Sequence, residues 1–194
     1  VAEAGAMRSL AVKLSKRASD MNLLTSGPRA GLGETNLPPE QPGSSIMPGK
    51  VTPVMPELGN LVSFRVIGND LTVTLAARNG QLQLNAYEPV VAIAVLESQR
   101  LLANTMATFR TRCVDGITVN ADTLEGYIER TVGIVTALNP VIGYDRATEL
   151  AKEAYSTNKG ILEIVREKKI LSEEQIEDIL SPGALTGLDK KQYE

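Results

Sequence analysis

Apolar residues recur at intervals of three and four from the first turn of the chain. Met7, Leu10, Ala11, Leu14, Ala18 and Met21 fall on one face of a helix that is already in register at Val1 and runs to about Leu24. Ser26-Gly27-Pro28 stops it, because Gly permits a left-handed cap and Pro forbids continuation. From Gly27 to Pro56 the periodicity gives way to glycine and proline, at Pro38-Pro39, Pro42-Gly43 and Pro48-Gly49. So long a loop is usually functional or disordered, and Ile46, Met47, Val51 and Val54 give it apolar points of docking. A second helix is expected from Glu57 to about Leu75 or beyond. Its Leu58, Leu61, Val62, Val66, Leu71, Val73 and Leu75 leave little polar circumference, which predicts burial between other helices. Leu71 to Leu75 also has the branched composition of a strand, but no neighbouring run offers a partner. After a turn from Gly80 to Asn85, a third helix starts near Glu88-Pro89 and reaches Cys113, completing an antiparallel hairpin.

Beyond Asp115-Gly116 the pattern shortens. Asn120 or Asp122 caps a helix through about Ala137, with Glu125 completing a box with Asp122, and Asn139-Pro140 ends it. Charged helices follow from Asp145 to about Tyr155, from Ile161 to about Lys169, and from Ser172-Glu173-Glu174-Gln175 to Ser181-Pro182-Gly183, after which the chain frays. The expectation is an all-α protein. A long-helix bundle spans residues 1–120 and a small C-terminal helical domain spans 121–194.

Composition narrows the function classes. Of 194 residues 43% are hydrophobic but only 4% aromatic, so the core is built from Leu, Val, Ile, Ala and Met. A net charge of -3 without clustered Lys or Arg argues against a nucleic-acid groove, while leaving room for a small anionic substrate. Cys113 is alone, which points to a reducing, cytoplasmic setting, and a lone Cys at a helix end is usually inert packing. No stretch is apolar enough to span a bilayer. The chain has no His, which removes His-based triads, His metal sites and the commonest general base from anything it does unaided. No metal or cofactor is expected.

The candidate chemistry lies in Gly43-Ser44-Ser45-Ile46-Met47-Pro48-Gly49-Lys50-Val51-Thr52-Pro53, two hydroxyls and an ammonium on a loop backed by rigid helices. This string resembles the signature of the fumarase/aspartase superfamily of lyases. Segments outside it agree: Ser26-Gly27-Pro28-Arg29-Ala30-Gly31-Leu32, Gly68-Asn69-Asp70, Gly80-Gln81-Leu82-Gln83-Leu84-Asn85, and Gly133-Ile134-Val135-Thr136-Ala137-Leu138-Asn139-Pro140. The resemblance covers essentially the whole chain, as the C-terminal part of a longer enzyme. Val54-Met55-Pro56-Glu57 and Tyr87-Glu88-Pro89 lean toward the aspartate ammonia-lyase branch. Class II fumarases, which tend to carry Lys where Glu88 stands, are the runner-up, and a non-catalytic helical assembly module is the alternative from another class.

The resemblance implies loss of ammonia from L-aspartate to give fumarate, by abstraction of the Cβ proton through an aci-carboxylate dianion. It implies Ser44 as the base, Lys50 as a point charge for a substrate carboxylate, and a homotetramer whose active sites combine several subunits. A serine hydroxyl acts as a base at neutral pH only where its alkoxide is strongly stabilised, as water exclusion, Lys50 and loop amides would do. Gly43 and Gly49 supply hinges, Met47-Pro48 anchors the underside, and Ser45 is a loop hydrogen-bonder. Thr52 stands where the family usually has an Asn that helps hold substrate, keeping a hydroxyl but losing the amide's paired donor and acceptor. Other parts of the family's site come from earlier regions, including one bearing His, so the 194-residue chain alone is expected to be inactive. Asn69 and Asp70 suit bonding between helices, and Arg29 suits a structural role.

Overall fold

The computed structural model describes residues 1–27, 29–42 and 51–187, and for Val51, Thr52 and Pro182 the backbone alone. Three long helices form the first unit, Val1–Asn120: α1 (Ala2–Leu24), α2 (Met55–Arg78) and α3 (Glu88–Arg112). Alanines spaced seven apart on α1 let the backbones approach. Ala4, Ala11 and Ala18 are all buried, Ala4 beside Val73 and Ala94, Ala11 beside Val66 and Leu102, and Ala18 beside Phe109. The order of these layers makes α2 antiparallel to both α1 and α3.

Polar pairs fix the register of the bundle. Asn69 Nδ2 reaches Glu97 Oε2 at 2.8 Å and Ser98 Oγ at 3.0 Å on α3, while Asp70 pairs with Arg8 of α1 at 3.0 Å. Arg65 adds an ion pair to Glu97 at 2.9 Å. The hydrogen bonds from Asn69, then from Arg65, hold the Glu97 carboxyl below its ordinary range. A carboxyl lowered on folding contributes stability that is present above its unfolded value and lost as pH falls through the folded one. The stability difference between the native chain and Glu97→Gln is therefore expected to shrink on acidification through that window. Thermal melts of both proteins across the acid range check it, and a difference independent of pH would count against the assignment.

α2 departs from the expected burial. Gly59, Val62, Val66, Asn69, Val73 and Ala76 form its buried stripe. Leu61, Phe64, Leu71 and Leu75 form a second stripe that is exposed, Leu61 by 66% and Phe64 by 60%. Two helix neighbours cover only one side of a helix, so an all-round apolar sequence leaves the other side open. Gly68 falls in the open stripe, where an added Cβ would meet nothing within 4 Å. On α3, Ile93 and Leu96 are exposed as well. The segment 71–75 is helical, and the expected turn closes with a bridge between Gln81 and Leu84.

The second unit, Ala121–Glu194, holds α4 (Ala121–Arg130), α5 (Val135–Ile142), α6 (Tyr144–Thr157), α7 (Ile161–Glu167), α8 (Glu173–Leu180) and α9 (Pro182–Thr186). Its core gathers Ile134, Leu138, Leu150, Ile161, Ile164, Val165 and Ile176. The single helix expected to reach Ala137 is broken after Arg130. Thr131 turns extended and its side chain accepts from the Gly133 N–H, capping a 3-10 turn, Val132–Ile134, before α5 begins. Pro140 lies inside α5 and does not end it. It removes one helical bond, while the fully buried Leu138 and the Gly143 N–H to Asn139 carbonyl bond at 3.0 Å hold the last turns. Ser172 and Gln175 form the capping box that opens α8. Beyond Pro182 the chain forms α9 where fraying was expected, because the Ser181 hydroxyl caps it and Gly187 closes it in the left-handed region.

Candidate functional site

The path to the signature loop starts at Ser26. Its hydroxyl donates to the Leu23 carbonyl at 2.6 Å and accepts from the Leu32 N–H at 3.0 Å. Its carbonyl accepts from the Gly33 N–H at 2.9 Å. A Cβ on Gly31 would lie 2.3 Å from that carbonyl oxygen, so the turn closes only around glycine. Arg29 sits in the same turn with φ 67°.

From there the backbone runs as a strap fastened to the far end of the bundle. β1 (Thr35–Asn36) pairs antiparallel with β4 (Thr118–Val119), where β2 and β3 denote the two strands between them in sequence. Asn36 Nδ2 donates to Asn120 Oδ1 at 2.6 Å, and Asn120 Nδ2 donates to the Gly33 carbonyl at 2.7 Å. Leu37 enters the cluster of Ala18, Phe109 and Cys113. Pro38 crosses Gly116 so closely that a Cβ there would stand 2.5 Å from Pro38 Cγ. Glu40 Oε2 meets Arg112 Nη1 at 3.1 Å. Burial, then the nearby Glu40 carboxylate, pushes the Cys113 thiol up, which keeps it protonated and makes it packing instead of a nucleophile.

Immediately after Glu40, β2 (Gln41–Pro42) pairs antiparallel with β3 (Val51–Thr52), in the register Gln41 to Thr52 and Pro42 to Val51. Both legs of the signature loop thus come together at its base, and Pro53 and Val54 lead into α2. Gly43, Ser44, Ser45, Met47, Pro48, Gly49 and Lys50 lie outside the described residues. Thr52 is placed by its backbone as a member of the ladder. The structure therefore brings together the two ends of the loop, and the strap leading to them is held by residues whose roles there motif reading did not assign: Ser26, Asn36, Glu40, Arg112 and Asn120. Only Ser26 belonged to a quoted motif, since the others acquire their roles through contacts with remote parts of the chain.

Elsewhere, a cavity of about 770 Å³ lies within the second unit, lined mainly by Ile128, Ile134, Ala137, Val141, Ile179 and Leu185. Its lining is mostly apolar, with Thr131, Thr136, Gln175 and Asp178 as its polar side chains. No helix among the described residues is long and apolar enough to cross a membrane.

Residues 1–68, which contain the loop, match the family model described as Lyase, and residues 134–187 match that of the Fumarase C C-terminus. The chain is 54% identical over 178 residues to the aspartate ammonia-lyase of Pseudomonas aeruginosa and equally to that of Helicobacter pylori. Each alignment takes in 92% of this chain and 38% of the relative, so the chain spans well under half the length of these relatives. Among solved structures, fumarate lyase:delta crystallin from Brucella melitensis superposes with a TM-score of 0.82 at 51% identity, covering 92% of this chain and 40% of that one. Class II fumarase from Schistosoma mansoni gives 0.81 at 36% identity, covering 92% and 37%.

Proposed function

The chain belongs to the fumarase/aspartase superfamily of lyases, and on that premise we propose that it forms the loop-bearing part of an aspartate ammonia-lyase. The observation that carries this reading is the gradient of similarity. Identity is 54% to relatives named aspartate ammonia-lyase and 36% to the class II fumarase. Hydration of fumarate to L-malate is the second reading, favoured by the match of residues 134–187 to the Fumarase C C-terminus.

In the proposed reaction the Ser44 alkoxide takes a proton from Cβ of L-aspartate, and the electron pair passes into the adjacent carboxylate as an aci-carboxylate dianion. That pair returns to form the C=C bond as the C–N bond breaks, and ammonia leaves with the bonding electrons. Lys50 pairs with a substrate carboxylate, and loop amides with Lys50 stabilise the alkoxide in a site closed to water. Gly43 and Gly49 act as hinges, Ser45, Met47 and Pro48 shape the loop, and Thr52 contacts substrate. Anchoring of the loop base by the strap supports such a site, because a base must be held within hydrogen-bond reach of its proton.

A homotetramer with sites shared between subunits is part of the same proposal. Its support is the exposed stripe of Leu61, Phe64, Leu71 and Leu75 on α2, a surface of the kind that marks association. The cytoplasm is the proposed location.

Assaying the longer protein that carries this chain with L-aspartate and with L-malate tests the function. Fumarate from aspartate supports it, and fumarate from malate alone would replace it with the second reading. The 194-residue chain by itself is expected to release none. Thr52→Asn, which restores the amide, is expected to lower KM for aspartate about threefold to tenfold, the net worth of roughly one added hydrogen bond. Steady-state kinetics read the change, and an unchanged KM would remove Thr52 from the substrate contacts.

A further inference from the structure

Tyr144, Thr148, Ala151, Tyr155 and Asn158 fall at intervals of three and four along α6 and so share one face of it. That face borders a groove made of two hollows of about 420 Å³ each, which run into one another at Val132 and Tyr155. Small side chains open it: Ala147, Ala151 and Ala154, with Val132 and Val135, form its apolar lining. The two tyrosines leave their rings in water, Tyr144 75% and Tyr155 87% exposed.

Charge and hydrogen bonding set this groove apart. The chain carries a net charge of -3, yet no acidic side chain lines either hollow, while Arg130, Lys152 and Lys159 do. Lys159 is paired with Glu163 at 3.7 Å and Glu167 at 2.5 Å, whereas Arg130 and Lys152 make no ion pair among the described residues. Arg130 is nonetheless held in place, because its Nε donates to the Gly126 carbonyl at 2.8 Å and its guanidinium lies 5.8 Å from the centre of the Tyr127 ring. In the hollow that Tyr144 lines, Asn139 Oδ1 is the one buried side-chain oxygen or nitrogen among the described residues without a hydrogen-bond partner. A buried acceptor left in that state is costly, and an N–H arriving in the groove recovers the loss once the amide turns toward it.

We propose that this groove docks an extended acidic segment of a partner protein, recognised by Arg130, Lys152, Tyr155 and Asn139. Length argues for an extended chain: from Tyr144 to Asn158 α6 rises about 21 Å at 1.5 Å per residue, which about six residues of extended peptide span. A compact small molecule fills one hollow and leaves the other in water, and two unpaired cations are too few to follow a phosphate backbone. Carboxylates of the segment meet Arg130 and Lys152, an apolar side chain covers the alanines between the tyrosines, and a backbone N–H donates to Asn139 Oδ1. The inference stands apart from the reaction at the loop, since every residue it uses belongs to the second unit.

Selection of a random heptapeptide library on the 194-residue chain, with the double variant Arg130→Gln and Lys152→Gln as the counter-selecting protein, tests it. Peptides rich in Asp and Glu are expected to be enriched. With an enriched peptide in synthetic, fluorescent form, Arg130→Gln and Lys152→Gln are each expected to weaken binding about fivefold and Tyr155→Ala about tenfold, read by anisotropy. Asn139→Ala is expected to weaken it about threefold without lowering the melting temperature, since its Oδ1 has no partner to lose in the free chain. No enrichment, or enrichment of neutral or basic peptides, would overturn the proposal. Affinity that all four substitutions leave unchanged would place binding elsewhere and overturn it too. Displacement of the peptide by free glutamate would make the site one for a small anion, and equal affinity for single-stranded DNA would make it one for nucleic acid. Binding by the 194-residue chain that the longer protein lacks would assign the groove to an internal contact and overturn the external partner.

Discussion

Ser44→Ala in the longer protein is expected to lower kcat for fumarate formation by about a thousandfold, within the range that a positioned base contributes, and to leave KM within about twofold. In the proposed mechanism the hydroxyl oxygen acts on the Cβ proton only in the transition state, whereas Lys50 and other groups hold the substrate carboxylates. Ground-state binding therefore survives its removal. Ser45→Ala is the internal control, with an expected loss no greater than about tenfold, as befits a loop hydrogen bond. Steady-state kinetics with L-aspartate, beside a measurement of oligomeric state, separate the possibilities. Retention of more than about a tenth of native kcat by Ser44→Ala would dismiss Ser44 as the base. Comparable losses at both serines would indicate a disturbed loop instead of a lost proton acceptor.

The largest expected effect on stability belongs to the second unit. Leu138→Ala should destabilise it by about 3 kcal/mol, because Leu138 is fully buried in the cluster that holds Ile134, Leu150, Ile161 and Ile164, and its removal leaves a cavity there. Chemical denaturation of the 194-residue chain, followed by probes in that unit, measures it. Tyr155→Ala, at a side chain 87% exposed, is the comparison and should change stability by no more than about 0.5 kcal/mol. A similar small effect at Leu138 would mean that the core described for this unit does not form in solution.

Helices were legible where their signals are local. The opening helix ends at Leu24, as Ser26-Gly27-Pro28 requires, and the box between Ser172 and Gln175 opens α8 as its spacing predicts. The break after Arg130 was not legible, because it depends on Thr131 preferring to cap the next turn over continuing the helix. Likewise Pro140 reads as a stop in one dimension, yet a buried Leu138 keeps the helix going. The signature loop was legible as a motif, while the strap that fastens the chain leading to it was not. Glu40 and Arg112 are 72 residues apart, and no periodicity links an acid in a proline-rich loop to a base at a distant helix end.

The two stripes of α2 differ in what they contribute to the fold. Folding of this chain reads Gly59, Val62, Val66, Val73 and Ala76, while Leu61, Phe64, Gly68, Leu71 and Leu75 are invisible to it. A screen for solubility or expression of the isolated chain would consequently favour polar residues along the second stripe and a stronger helix former at Gly68. Each change would make the chain easier to produce and, in the same step, erase the exposed apolar stripe on which the proposed assembly of subunits rests.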